Sequence, residues 1–400
     1  MPSGGTHVVA HLPGRRARLP LAVAALLAAA SAGALVRPAQ AAQTPPAPHD
    51  RTLQRDLDRL VGASGGPPGA VAVLTRGDRT EVYRAGVADV RTGQPPRPTD
   101  HMRIASIAKA FSGAVALRLV DQGRLTLETT LGSRLPELPV AWHRVTLRQL
   151  LHHTSGLPDF TASPDFRAIL AEDPHHVFDS RRLLEFAAGE PLAFRPGTRY
   201  QYSNSDNIAV ALLAEAATGR RYEDLLKRLV YRPLGLEHTS LPHGHRLPRP
   251  ALHGYAVDPP APPEDVTELF DTSGVWASGA VVSTPKDLGR FIRGYAGGSL
   301  FSAHTRKEQL RFLPGAASEP AGPGVNSAGL ALFRYATRCG VLYGHTGNTA
   351  GYTQLAAATP DGRKSLTFSI TTQTSKSLKP ALLNHLRKVQ EDFACALLRH

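Results

Sequence analysis

A predominantly helical stretch separates two segments rich in strand patterns, and this layout constrains the fold more than any other feature of the chain. From Thr146 to about Gly235, apolar residues recur at helical spacing, most clearly at 181–188, 207–217 and 222–230. Short alternating runs typical of strands precede this stretch and return after it. We expect an α/β protein of the α+β type, an antiparallel sheet flanked by helices on both faces with an inserted all-helical lobe.

The positions of the other predicted elements divide the chain into two lobes. Strands are predicted at 71–74, 81–87, 330–334, 341–345, 352–358 and 365–371, and further helices at 51–61, after Ser106 and at 379–398. About 360 residues remain after the predicted signal peptide, which is more than one hydrophobic core usually serves. We therefore expect an α/β lobe formed by 51–120 and 272–400, and a helical lobe formed by 121–271.

The first 42 residues have the order of a secretory signal peptide. Arg15, Arg16 and Arg18 precede a charge-free, largely apolar run at 19–36, and small residues follow at 39–41. A Pro-rich linker occupies 43–50. The pair Arg15-Arg16 leaves twin-arginine export open beside the general route, and a retained membrane anchor is the alternative to cleavage. We expect a secreted, extracellular protein.

The chain is basic, and this limits its partners. Its formal net charge is +13, which falls to +9 once the predicted signal peptide and its four arginines are removed. A basic exported protein is compatible with an anionic cell wall. The charges are scattered and no basic–aromatic stripe occurs, so nucleic acid is not expected. We expect a monomer with a small-molecule or peptide substrate and no stable membrane span after signal removal.

Ser106-Ile107-Ala108-Lys109 lies where an apolar strand pattern gives way to a helix. Lys109 follows Ser106 by three residues, so both lie on one helix face. A helix N-terminus also presents backbone N–H groups to an oxyanion. This combination predicts a serine nucleophile whose nearest base is a lysine.

Two other segments match nucleophile motifs, but their surroundings favour structural roles. Ser283-Thr284-Pro285-Lys286 repeats the Ser-x-x-Lys spacing, but Thr284 has the pattern of a helix N-cap followed by proline. The segment 62–66 matches Gly-x-Ser-x-Gly, yet no strand leads into it and two prolines follow it. Neither is expected to be catalytic.

Two further motifs support Ser106 as the nucleophile. Tyr202-Ser203-Asn204 precedes a predicted helix, where the phenol can exchange protons with Ser106 and the amide can bind Lys109 and substrate. His345-Thr346-Gly347 ends a late strand. There the glycine allows close approach of a substrate backbone, the threonine offers a hydroxyl and the histidine a tunable charge.

These three motifs, in this order, resemble the serine penicillin-recognising superfamily, most closely the secreted D-alanyl-D-alanine carboxypeptidases and class C-type β-lactamases. The resemblance runs from about Gly66 to Cys395 and includes the segments 150–157, 196–197 and 278–288. It implies the β-lactamase/DD-peptidase fold and an acyl-enzyme formed on Ser106.

The resemblance also implies roles for individual residues. Ser106 would be the nucleophile, Lys109 the base and Tyr202 the relay that protonates the leaving amine, while backbone N–H groups of Ser106 and Asn348 would form the oxyanion hole. The residues implied to bind or shape the substrate are Asn204, His345, Thr346, Gly347 and Asn348. Trp276 either lines the cleft or packs in the core. No cofactor and no metal are expected.

The two cysteines, Cys339 and Cys395, indicate one disulfide in an exported chain. Two buried thiols are the alternative. The resemblance implies the disulfide, because both cysteines match the positions bonded in the carboxypeptidase branch.

The middle motif overlaps a second spelling. Ser205-Asp206-Asn207 matches the Ser-Asp-Asn of class A β-lactamases. We choose Tyr202-Ser203-Asn204 because relatives with His-Thr-Gly use tyrosine, and we expect Ser205-Asp206 to cap the helix that follows.

Histidines elsewhere in the chain are not expected to bind metal. His238, His243 and His245 lie in a Pro-rich loop without carboxylate or cysteine support. The pair at 152–153 has no Glu-x-x-His pattern, so packing is the favoured role.

Two departures from the carboxypeptidase branch bear on specificity. Asn348 replaces a threonine and Phe333 replaces an arginine, and in the branch both residues help bind a terminal carboxylate. We expect a D-alanyl-D-alanine carboxypeptidase acting on peptidoglycan stem peptides. The alternatives are a β-lactamase or esterase on the same scaffold, or a non-catalytic binder.

Overall fold

The strands build one large sheet and two small ones. The computed structural model describes residues 50–399, so the predicted signal peptide and nearly all of the linker lie outside the described residues. The strands are β1 (Gly69–Arg76), β2 (Arg79–Gly86), β3 (Met102–Arg103), β4 (Tyr255–Ala256), β5 (Glu264–Asp265), β6 (Val282–Ser283), β7 (Leu313–Pro314), β8 (Val325–Ala328), β9 (Phe333–Thr337), β10 (Gly340–Thr349), β11 (Tyr352–Ala358) and β12 (Lys364–Ile370).

The large sheet is antiparallel throughout. Within residues 50–399 its eight strands follow the order β2-β1-β12-β11-β10-β9-β8-β7. The first strand of the chain pairs with the last, Val73 opposite Thr367, which joins the two ends of the described chain in one sheet. The small sheets pair β3 with β6 and β4 with β5.

Helices cover both faces of this sheet. They are α1 (Arg51–Val61), α2 (Ala108–Asp121), α3 (Leu147–Leu151), α4 (Pro164–Glu172), α5 (Asn204–Thr218), α6 (Tyr222–Leu226), α7 (Arg232–Leu234), α8 (Trp276–Gly279), α9 (Pro285–Gly297), α10 (Ala303–Gln309) and α11 (Pro380–Arg399). Those between α3 and α7 belong to the segment predicted to be helical.

The two-residue period of the strands explains the two-sided packing. In β1, Ala70, Ala72 and Leu74 belong to the cluster that contains the apolar faces of α1 and α11. Val71 and Val73 point to the other face, where they join α2, α9 and the helical segment. The predicted antiparallel sheet with helices on both faces is confirmed.

Helix α2 lies inside the molecule rather than on its surface. Eleven of its fourteen residues are buried, which explains why its sequence is apolar nearly all round. It ends before Gly123, whose φ of +66° is a left-handed conformation that glycine adopts without strain. Its first turn therefore holds Lys109 deep in the core.

Local sequence was less informative where tertiary contacts decide the conformation. The helix predicted at 181–188 is only a 3₁₀ turn, Leu183–Ala187. The helix predicted at 222–230 is α6 continued as a π-helix, Lys227–Tyr231. The described residues, 50–399, belong to one compact unit, and the boundaries of the two lobes stay a prediction.

A disulfide joins Cys339, in the turn between β9 and β10, to Cys395 in α11. It ties the last helix to the sheet across 56 residues of chain, and the alternative of two buried thiols is excluded.

Among residues 50–399, none of the helices has both the length and the apolar character needed to cross a bilayer.

Replacing both cysteines, Cys339→Ser with Cys395→Ala, should lower the free energy of unfolding by about 2–4 kcal/mol. Without the cross-link the unfolded chain regains the entropy of a loop of this length. Urea unfolding of the oxidised wild type and the variant measures the difference. Dithiothreitol should bring the wild type to the variant's midpoint and leave the variant unmoved; coincident curves in the absence of reductant would contradict the prediction.

Candidate active site

Ser106 lies in a tight turn that enters α2. The turn Ala105–Ile107 is 3₁₀, and Ala105 has a φ of +47°, a strained value for a residue with a side chain. Strand β10 packs directly against this turn, because a Cβ on Gly347 would lie 2.2 Å from the carbonyl oxygen of Ile104. Gly347 is therefore needed for the contact between the strand and the nucleophile turn.

The Lys109 amine is buried and surrounded by three oxygens. Nζ lies 3.0 Å from Ser106 Oγ, 2.8 Å from Asn204 Oδ1 and 2.8 Å from the Ser278 carbonyl oxygen. The amide and carbonyl oxygens only accept hydrogen bonds, so they take the two N–H groups of a neutral amine. Its lone pair then faces the Ser106 hydroxyl, which is the geometry required of a base.

Burial also sets the charge state of Lys109. It lowers the pKa of the amine from the ordinary 10.5 to about 7, while the nearby Asp159 and Glu319 carboxylates act in the opposite direction. A substantial fraction of the amine is then unprotonated at neutral pH, as general-base catalysis needs.

Tyr202 and Asn204 complete the group around Ser106. The Lys109 Nζ lies 5.0 Å from the centroid of the Tyr202 ring, and the Tyr202 hydroxyl is buried without a well-formed hydrogen bond among the described residues. Burial raises the Tyr202 pKa far above its ordinary value, and the nearby Ser106 hydroxyl opposes this. Tyr202 therefore stays protonated and is suited to donate a proton.

A buried polar network lies behind Tyr202. The ring of His153 packs 4.4 Å from that of Tyr202, and Asp206 bonds both His153 Nδ1 at 2.8 Å and the Ser155 hydroxyl. Burial raises the pKa of Asp206 and lowers that of His153 to about 3. Burial therefore favours the uncharged form of each group, with the shared proton on Asp206.

The choice between the overlapping motifs follows from these positions. Tyr202 and Asn204 line the cavity at Ser106, whereas Ser205 bonds Pro158 and Phe160 and Asn207 accepts from Ser112. The expectation that Ser205 and Asp206 cap the helix is wrong. Helix α5 begins at Asn204, so both side chains already lie in its first turn and face the 153–160 segment.

The cavity beside Ser106 has a volume of about 330 Å³. Asn348 and Thr349 of β10 form one wall, Asp159 and Thr161 another, and Ser278 with its neighbours a third. The sequence-predicted residues that meet in it are Ser106, Tyr202, Asn204 and Asn348, with Lys109 directly behind Ser106.

Three predicted residues of β10, His345, Thr346 and Gly347, are not among the residues that line the cavity. The Thr346 hydroxyl donates to the Pro320 carbonyl oxygen and also hydrogen-bonds the Ser318 hydroxyl, so it holds a loop rather than facing the cavity. His345 is fully buried, with its ring 4.9 Å from that of Phe333. Burial lowers its pKa to about 3, so the expected tunable charge is absent at neutral pH.

Trp276 packs in the core rather than lining the cleft, which were the two expectations for it. Its ring N–H donates to Glu223 at 3.1 Å and Arg181 stacks 5.0 Å above the ring. Its φ of +27° is strained. The turn it begins, α8, places the Ser278 carbonyl on Lys109.

Sequence reasoning missed two carboxylates that line the cavity, Asp159 and Glu319. Asp159 Oδ2 accepts from the Asn204 amide and backbone, and Oδ1 accepts from Thr161. Its place two residues after the 150–157 segment was the available signal. Glu319 is exposed in a loop far along the chain, and no local pattern marks it.

The histidine-rich loops hold packing contacts. His245 stacks on His175 with ring centroids 3.9 Å apart, and His238 packs edge-on against His101. His152 Nε2 lies 2.9 Å from the Arg311 carbonyl oxygen. Within residues 50–399 no cluster of three or more His, Cys, Asp or Glu has the arrangement of a metal site.

The rate of acylation should rise with pH through about 7. Lys109 accepts the Ser106 proton only when neutral, so kcat/KM falls about tenfold per pH unit on the acidic side of its pKa of about 7 and levels above it. An uncharged p-nitrophenyl ester keeps substrate titration out of the profile. Lys109→Arg, which stays protonated, should lower kcat/KM more than about 10³-fold. A wild-type kcat/KM that stays flat from pH 5.5 to 8.5 would contradict the assignment of Lys109 as the base.

Asp206→Asn should be tolerated and Asp206→Ala should not. The amide of Asp206→Asn donates to His153 and accepts from Ser155 as the protonated carboxyl does. We therefore expect the free energy of unfolding to change by no more than about 1 kcal/mol. Alanine leaves both partners unpaired and should lower the free energy of unfolding by about 2–4 kcal/mol. Urea unfolding at pH 7 measures both variants; equal losses would mean that Asp206 is charged in the folded protein.

Comparison with known proteins identifies the family of this chain. The family described as Beta-lactamase matches residues 34–390. Penicillin-binding protein 4* of Bacillus subtilis (strain 168) is 24% identical over 327 residues, 79% of this chain and 70% of that protein. Protein flp of Staphylococcus aureus (strain N315) is 25% identical over 251 residues, 61% of this chain, and the match spans only 47% of that protein.

Two solved structures are similar over most of the chain. A D-stereospecific amidohydrolase from Streptomyces sp. is 29% identical with a TM-score of 0.71, covering 81% of this chain and 94% of that one. The D-amino acid amidase from Ochrobactrum anthropi SV3, in complex with L-phenylalanine amide, is 26% identical with a TM-score of 0.74, covering 86% and 98%. The chain belongs to the Beta-lactamase family of serine hydrolases, within the serine penicillin-recognising superfamily.

Proposed function

We propose that this enzyme is an amidohydrolase that cleaves amides and peptides of D-amino acids bearing a free α-amine. One observation carries the proposal. Within residues 50–399, the residues lining the cavity include two carboxylates, Asp159 and Glu319, and no lysine, arginine or histidine. A site with this charge favours a cationic group on the substrate over an anionic one.

Asp159 is the proposed partner of the substrate amine. Its carboxylate is held by donors from Asn204 and Thr161, so its position in the wall is fixed. The same contacts turn the Asn204 carbonyl toward Lys109, so the substrate amine and the base share one supporting residue. Preference for the D configuration is supported by the similarity to the Streptomyces amidohydrolase and the Ochrobactrum amidase.

The proposed reaction proceeds through an ester on Ser106. The Ser106 proton passes to Lys109 Nζ, 3.0 Å away, as Oγ bonds to the substrate carbonyl carbon. Backbone N–H groups of Ser106 and Asn348 bind the oxyanion. The C–N bond then breaks, and Tyr202 gives its proton to the leaving nitrogen and is reprotonated from Lys109. Water cleaves the ester, which releases the D-amino acid and restores the Ser106 hydroxyl.

D-alanyl-D-alanine carboxypeptidase activity on stem peptides, predicted from the sequence, is the second candidate. The similarity to Penicillin-binding protein 4* supports it. Such a substrate has an acylated amine and a free terminal carboxylate. Phe333, in the place of the branch's arginine, is 1% exposed and packed on His345, so it offers that carboxylate no partner.

We also propose that the enzyme works outside the cytoplasm. The predicted signal peptide supports export, and the disulfide between Cys339 and Cys395 is typical of oxidising compartments.

A substrate pair that differs only at the amine tests the proposed function. Wild type should cleave D-Phe-amide with kcat/KM at least about tenfold above that for N-acetyl-D-Phe-amide, since only the first bears the cation, and L-Phe-amide should be poor. Asp159→Asn should lower kcat/KM for the free amine about 10- to 100-fold more than for the acetylated amide.

The ratio between the two substrates is the measurement that matters for Asp159→Asn, because a disturbed Asn204 would slow both equally. Ser106→Ala is the inactive control. Preference for the acetylated amide, or turnover of N-acylated D-Ala-D-Ala with D-Phe-amide inert, would favour the carboxypeptidase instead.

A further inference from the structure

A second cavity adjoins the catalytic one. It has a volume of about 460 Å³ and shares Glu319 and Asn348 with the first. Since the same two residues line both, a substrate held at Ser106 can extend past them without leaving the protein surface.

The wall of this second cavity is fixed before any ligand binds. The Tyr200 hydroxyl donates to the Ala317 carbonyl oxygen. The Thr346 hydroxyl holds the same loop from the other side through Ser318 and Pro320. The 375–377 segment closes on itself, with the Ser375 and Ser377 hydroxyls 3.0 Å apart.

The second cavity lies on the side of the proton donor. Tyr200 lines it, and Tyr202, two residues along the same segment, lines the catalytic cavity. In the proposed reaction the leaving nitrogen must face Tyr202. The part of the substrate beyond the scissile bond is therefore directed toward Tyr200 and Glu319.

The charges in the second cavity match an amino acid or a short peptide. Glu319 lines both cavities, whereas Lys376 lines only the second. Neither takes part in an ion pair or a hydrogen bond with another of the residues 50–399. A departing amine becomes an ammonium next to Glu319, and a carboxylate farther along meets the Lys376 ammonium. Pro320 and Leu383 provide apolar surface in the same cavity.

We propose that this second cavity is a leaving-group subsite, which takes the residue or short peptide beyond the scissile bond and pairs its carboxylate with Lys376. The inference rests on the proposed function for the direction of the substrate. It predicts that D-aminoacyl peptides with a free carboxylate are better substrates than simple D-amino acid amides.

Three substrates with one acyl group test the subsite: D-Phe-amide, D-Phe-D-Ala and D-Phe-D-Ala-amide. Lys376→Ala should lower kcat/KM for D-Phe-D-Ala about fivefold, and Lys376→Glu about 20-fold, because an exposed ion pair is lost or made repulsive. The other two substrates should change less than twofold, and Lys376→Arg should retain the wild-type preference. Equal losses on all three substrates, or no loss on any, would overturn the proposal.

A second measurement separates failure of the subsite from failure of the proposed function. If wild type cleaves none of these substrates, the proposed function is wrong, and the subsite is then tested with a p-nitrophenyl ester as acyl donor. D-Ala should compete with water as acyl acceptor in wild type and about fivefold less well in Lys376→Ala, while D-alaninamide should be unaffected.

Saturation-transfer NMR of D-Ala with wild type and Lys376→Glu gives a readout that needs no turnover. Loss of the D-Ala signal in the variant supports the subsite. If the Lys376 variants bind D-Ala as wild type does, and D-Ala competes with water equally well in them, the subsite proposal is wrong.

Discussion

The burial of the Lys109 amine is the constraint on which the rest of the site depends. An amine without solvent keeps its place only if its N–H groups and its lone pair are paired, and the partners come from three separate elements: Ser106 in the nucleophile turn, Asn204 at the start of α5 and Ser278 in α8. The same burial lowers its pKa to about 7. One physical condition thus aligns the elements and makes the amine a base.

Strand β10 of the sheet forms another wall of the site, and its packing limits which of its side chains can contact a substrate. Gly347 lets β10 touch the carbonyl of Ile104, so the strand end packs directly against the nucleophile turn. The two residues before it, His345 and Thr346, serve packing and loop attachment. Substrate contacts are therefore left to Asn348 and to loops, where Asp159 and Glu319 set the charge of the cavity.

Prediction from the sequence succeeded where a pattern repeats locally. Helix α1 and strand β11 were predicted with the bounds observed, since amphipathic spacing and strand alternation are properties of the segment itself. The segment 181–188 was predicted as a helix and forms only a 3₁₀ turn. Strands β7 and β8, at the sheet edge, were missed because pairing, of β8 with β9 and of β7 with β8, rather than their own sequence makes them strands.

By itself, the sequence predicted the nucleophile and its chemical partners. Ser106 and Lys109 share one motif, Tyr202 lies in a second, and with His345-Thr346-Gly347 the residue types, spacing and order of the motifs indicate acyl-transfer chemistry. It also determined the two-sided sheet, since alternation and helical periods record which faces are buried. Only the tertiary structure decided what surrounds those groups. Asp159, Glu319 and Lys376 are separated from Ser106 by tens to hundreds of residues, and the field that they create depends on distance in space, which no short-range pattern in a chain records.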